Sequence, residues 1–296
     1  MNARRVAPDP QQDQAPGAAP AVPGAASAAP GRNRSRNALS RALARHQVTV
    51  FVLVTMAVSW VFIPVADGGL LPHGPMLAAL LVLAGVSGRR GISGLWAQLS
   101  RWRVGCQWHL VAAGIFLVVH GAALAVSAAI GVGMADPGTV LSVGTLVGIW
   151  IPLVLLGGQW EEPGWLGYLL RRLRDRVVGP PLLVLLVAGL IRMVWHTPLV
   201  LLGTIPWYDY VFGVLALQVI LSWLYDRTGG SVLVPMTCHL FANLSMASVL
   251  PLVDEPDRGL YWLVLVLVEV AVAGGLLLTT RGRTARRGPT TRAPGR

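Results

Sequence analysis

The chain has 296 residues, of which 54% are hydrophobic and only 12% charged, with a mean hydropathy of +0.61. An ordinary soluble domain carries about twice that charged fraction, so a chain this apolar must be solvated largely by lipid. The formal charge of +11 comes from arginine alone, since the sequence has no lysine. These arginines fall between and outside the apolar runs, which argues for membrane orientation rather than nucleic-acid binding.

Residues 1–46 read as a disordered tail of Ala, Pro, Gly, Gln and Arg without helical or strand period. Arg32, Arg34, Arg36, Arg41 and Arg45 form a basic collar before the first apolar run. Collar and run have the outline of a signal peptide. The run is long enough to span, however, and no small-x-small cleavage site follows, so it reads as an uncleaved first helix.

A helix needs about 20 apolar residues to cross the hydrocarbon. By that ruler the chain predicts about eight spans, near 48–66, 70–88, 108–133, 140–160, 181–203, 208–225, 231–252 and 260–280. The expected fold is therefore all-α, a polytopic bundle over 47–280 with a basic tail at 281–296. Pro72, His73 and Pro75 crowd the start of the second span. The segment 91–108, with Leu95, Trp96, Leu99 and Trp102, is amphipathic enough to lie along the interface.

Charge placement provides an independent check. With a cytosolic N-terminus, eight spans put Arg89, Arg90, Arg101, Arg103, the cluster from Arg171 to Arg176, Arg227 and the C-terminal arginines inside. Asp67, Asp136, Asp209, Asp254, Glu255 and Asp257 then lie outside with Arg258. This asymmetry predicts a multi-pass cell-membrane protein with both termini in the cytosol. Cys106 and Cys238 give neither a disulfide framework nor paired metal-ligand spacing.

Few polar groups remain inside the spans. The fourth ends in Glu161-Glu162; the fifth carries Arg192 and His196, and the seventh His239 and Asn243, each pair four apart on one helical face. Glu269 stands alone in the eighth and reads as a residue of helix packing or the lipid interface. Intramembrane ionisable groups are costly and mark functional sites. Two carboxylates, two imidazoles and a carboxamide also make a hydrolytic inventory: a carboxylate and an imidazole to take a proton from water, an imidazole and an amide to hold an oxyanion.

The segments Glu161-Glu162-Pro163-Gly164-Trp165-Leu166-Gly167-Tyr168, Trp195-His196-Thr197-Pro198 and His239-Leu240-Phe241-Ala242-Asn243 occur in the order seen in CPBP-family intramembrane proteases. This is the CAAX-protease and bacteriocin-processing (Abi) family, and the stretch from Tyr225 to Ser231 also looks like it. The resemblance covers about 145–250. It implies a membrane-embedded endopeptidase acting on a peptide or membrane-protein substrate. Glu161 and His196 would activate the attacking water with Glu162 in support, and His239 and Asn243 would hold the oxyanion. The family was long described as metalloproteases, so zinc on Glu161, His196 and His239 is the alternative to a metal-free site. A non-catalytic CPBP-like binding or immunity protein is the alternative from another class; a transporter would need more polar residues at the outer ends of the spans.

Two positions depart from the family pattern. Leu166 stands where the pattern EExxxR has arginine, and Arg192 stands where FxxxH has an aromatic residue. One reading is an exchange, in which Arg192 supplies the guanidinium that pairs with the second carboxylate. The other is drift away from catalysis. The span ends also predict that the two glutamates can meet His196 only if the fourth helix continues past Gly164, with residues 166–170 still in the membrane.

Overall fold

The computed structural model describes residues 41–66 and 68–286, with the side chains of 139, 140 and 280–286 excepted. Most of the expected N-terminal tail, Asp67 and the end of the C-terminal tail lie outside the described residues. Every named element among the described residues is helical, apart from one isolated bridge between Met134 and Val253.

Among the described residues, six helices are long and apolar enough to cross a membrane: α2 (Gly74–Leu99), α3 (Cys106–Ala129), α4 (Val143–Arg176), α6 (Asp209–Arg227), α7 (Leu233–Leu252) and the run Glu255–Thr279, which takes in most of α8 (Arg258–Arg286). The first and fifth expected spans form shorter apolar helices, α1 (Gln47–Trp60) and α5 (Pro181–Trp195). Both shortfalls coincide with proline. Pro64 disfavours helical backbone at Ile63, and Pro198 follows the break at His196, after which Thr197–Leu201 forms a separate short helix. The second expected span runs on to Leu99 through a kink at Gly88 (φ 58°). The predicted interfacial segment is therefore partly the end of α2, where Leu95 is buried and Trp96 exposed; Trp102, just beyond the helix, is also exposed.

Large apolar side chains are exposed along several helices, among them Leu110, Val118, Val143, Leu155 and Leu267. In water such a surface would aggregate; in lipid it is the solvated face. The core lies elsewhere. Trp165 packs edge-on against Phe51 of α1 (5.8 Å) and Trp195 of α5 (5.8 Å), and Tyr168 lies 4.9 Å from Phe51. The second half of α4 thus forms the centre of the bundle, with Leu166, Leu169 and Leu170 fully buried.

Helix α4 reaches that centre by changing geometry. Its regular first part, Val143–Leu156, stops at Gly157, whose backbone is extended (φ −77°, ψ 174°). A tight 3-10 turn follows at Gly158–Glu161, then one short α-turn carrying Pro163 at its start, where no amide donor is needed. A wide π-helical stretch, Trp165–Leu170, leads into Arg171–Arg176. The expected continuation past Gly164 is present, and it is the most deeply buried part of the helix.

Candidate active site

The two glutamates sit at the junction of the 3-10 turn and the α-turn of α4, so adjacent residues point to different partners. Glu162 is fully buried, and its oxygens Oε1 and Oε2 each lie 2.7 Å from Nη2 of Arg192, itself fully buried in the last turn of α5. This is the pairing expected from the exchange of arginine positions. The guanidinium also lies 5.6 Å from the centre of the Trp165 ring, a cation–π distance. A buried carboxylate stripped of its cation would be unstable in the protein interior, so Arg192 allows Glu162 to remain charged there.

The same carboxylate orients His239. Its Oε1 lies 2.7 Å from Nδ1 of His239. Because an ionised carboxylate only accepts hydrogen bonds, Nδ1–H donates and Nε2 is directed the other way. The position of Nε2 is marked by Gly158. A β-carbon built on that glycine would stand 2.7 Å from His239 Nε2, 3.0 Å from Asn243 Nδ2 and 3.0 Å from Glu161 Oε1. Three polar atoms from two helices therefore crowd the bare face of Gly158, which has no room for a side chain. The second oxygen of Glu161 accepts from the indole Nε1 of Trp165 at 3.1 Å, which fixes the carboxylate while Oε1 stays toward the cluster.

His196 closes α5. Its Nδ1 is 2.9 Å from the carbonyl oxygen of Arg192, an acceptor only, so Nδ1 carries the proton and Nε2 keeps its lone pair. The same carbonyl also accepts the backbone N–H of His196 at 3.2 Å, so one oxygen holds both the main chain and the ring. His196, His239 and Asn243 line one cavity of about 200 Å³; neither glutamate is among its lining residues, and the His239–Glu162 bond links the pair to it. Helices α4, α5 and α7 thus bring together the residues singled out in the sequence.

The same cavity is lined by three residues that the sequence pattern did not assign to it. Glu269, expected to be a packing or interface residue, is buried and faces it; so do Asp209, expected in an outside loop, and His120 of α3. Nδ1 of His120 lies 2.8 Å from the hydroxyl oxygen of Tyr261. Each breaks an apolar context, which was the available signal; no spacing within a single helix connected them, because the cavity joins separate helices.

Among the described residues, one group of possible metal ligands has its donor atoms within 4.8 Å of one another: Glu161, Glu162 and His239. It differs from the set Glu161, His196 and His239. Both oxygens of Glu162 are engaged by Arg192, and Nδ1 of His239 by Glu162. The group therefore has two disengaged donors beside a guanidinium, fewer than the three protein ligands a zinc centre usually takes. By itself this group falls short of a zinc site, and His196, the third residue of the expected set, lies outside it.

Residues 142–245 match the family model described as type II CAAX prenyl endopeptidase, Rce1-like. The match covers roughly a third of the chain and contains all the residues from Glu161 to Asn243 discussed above. It falls on the stretch where the motif resemblance was read. A comparison with curated proteins returns no match.

Proposed function

We propose that the chain is an intramembrane endopeptidase that hydrolyses a peptide bond with water activated by Glu161 and His196. The convergence of Glu161 Oε1, His239 Nε2 and Asn243 Nδ2 on the bare face of Gly158 carries this reading. A hydrolytic site needs a base and an oxyanion holder, and these residue types supply both.

The water loses a proton to Glu161, with the Nε2 lone pair of His196 as its second acceptor, while its oxygen bonds to the peptide carbonyl carbon. The carbonyl π-electrons move onto oxygen. Asn243 Nδ2–H and His239 face that oxyanion. With Nδ1–H committed to Glu162, His239 can donate from Nε2 only as imidazolium, and the Glu162 carboxylate stabilises that charge. Arg192 in turn keeps Glu162 ionised, which makes Glu162 and Arg192 positioning residues. Collapse of the tetrahedral intermediate breaks the C–N bond, and the proton held by Glu161 passes to the departing amine. No metal takes part in this scheme. The partners are a peptide or membrane-protein substrate and the bilayer.

The test is cleavage of a mixed peptide pool by the full-length protein in proteoliposomes, read by mass spectrometry. Glu161→Ala and His196→Ala are each expected to lower the rate at least about a hundredfold, with wild-type rates kept after strong chelation. Cleavage persisting in both variants overturns the reading, and loss of activity on chelation overturns its metal-free form.

A further inference from the structure

The cavity that exposes His196, His239 and Asn243 has a second polar wall. Asp209 lies at the start of α6 and Glu269 in the middle of α8, and both line the cavity. Gly213 lies between them: a side chain there would run into Asp209 Oδ1 and come within 3.5 Å of Glu269 Oε2. The absent side chain leaves space for both carboxyl groups.

These two acids are partnered quite differently from Glu161 and Glu162. Asp209 accepts a hydrogen bond from the Trp262 side chain. Glu269 is only 8% exposed, and no hydrogen bond or ion pair joins its carboxyl group to a described residue. An unpartnered buried carboxylate is destabilised, and two close together more so, unless a cation lies between them. None of the arginine ion pairs among the described residues reaches either acid. Much of the remaining lining is apolar, including Phe116, Leu199, Val214, Leu217 and Leu265.

We propose that Asp209 and Glu269 form a subsite for a basic group of the substrate, an alkyl guanidinium or ammonium on an otherwise apolar segment. A cation seated there would complete both carboxylates at once and fix the segment beside the reacting groups. Charge-assisted bonds of this kind are roughly twice as strong as neutral ones, so the pair would select strongly against an uncharged analogue. As a substrate subsite the proposal rests on the hydrolase reading; as a cation site it does not.

The experiment uses the full-length protein in detergent and small probes. Butylguanidinium is expected to raise the thermal midpoint saturably in the wild type and in Glu161→Gln, whereas butanol and butyrate do not. Glu269→Gln and Asp209→Asn are each expected to weaken the apparent affinity about tenfold or more; if one variant fails to fold, the other carries the comparison. Three competitor peptides separate the sources of the charge: an N-acetylated apolar peptide with one arginine, its norleucine twin, and that twin with a free amino terminus. Displacement by the first assigns a side-chain cation and by the third an amino terminus. Equal displacement by the acetylated norleucine twin, an equal response to butanol, or unchanged affinity in both variants overturns the proposal. Absence of peptide cleavage with the binding pattern intact counts against the hydrolase reading alone.

Discussion

At the scale of single residues, the site depends on one missing side chain and one displaced charge. Gly158→Ala would put a methyl group 2.7 Å from His239 Nε2 and 3.0 Å from Asn243 Nδ2 and Glu161 Oε1, pushing the three reacting groups apart. The expected result is a loss of cleavage of about a hundredfold or more with the thermal midpoint close to wild type, read by parallel rate and melting measurements. Arg192→Leu leaves Glu162 buried without its guanidinium and with His239 as its remaining partner, a change that costs about 3–5 kcal/mol in comparable pairs, and should sharply reduce folded yield. Adding Leu166→Arg restores an arginine at the family position and is expected to recover part of both yield and activity; a double variant no better than the single would refute the exchange. The pairing was legible in the sequence because the two departures compensate in charge. The role of Gly158 was not. Its meaning lies in atoms of α7 that no spacing within residues 157–168 reveals.

At the scale of elements, the decisive object is α4, whose two halves obey different rules. Its first half, Val143–Leu156, has no buried residue, whereas residues 161–170 of its second half are all buried. A hydropathy ruler sees one span near 140–160 and ends it at the carboxylates, because it treats charge as the edge of the membrane. The structure carries the chain inward instead, with Glu162 neutralised by Arg192. Close packing there depends on Gly164, where a β-carbon would overlap the backbone of Pro75 at the start of α2. Gly164→Val should therefore separate α2 from α4 and cost about 1–3 kcal/mol by overpacking. A lower thermal midpoint, with activity lost in proportion to the folded fraction, is the expected measurement.

At the scale of the whole molecule, helices occupy all the expected apolar segments, because stretches of about 20 such residues have few alternatives in lipid. What the ruler missed is where prolines shorten the first and fifth segments, and which helices share a cavity. The orientation expected from the placement of arginine can be tested with the two free thiols. Cys106 is exposed and Cys238 buried. With both termini in the cytosol, a membrane-impermeant maleimide should label Cys106 in inverted vesicles and not in intact cells, leaving Cys238 unmodified in both. Labelling of Cys106 in intact cells would reverse the orientation.

The wide turn Trp165–Leu170 has a consequence for how this protein tolerates change in length. A π-helical turn accommodates one residue more than an α-turn, and that surplus commonly sits beside functional groups. Each residue of an α-helix advances the chain by about 100° of rotation. Removing a single residue from 165–170 would let the turn relax to ordinary helix while Arg171–Arg176 kept nearly their present facing, because the surplus residue is what is lost. Arg174 would keep its 2.8 Å contact with Asp226, and Glu161 and Glu162 would stay in place. The stretch acts as a length buffer between the chemical half of α4 and its basic end, so a one-residue deletion there should disturb the basic end less than the same deletion in regular helix, which turns everything beyond it by about 100°.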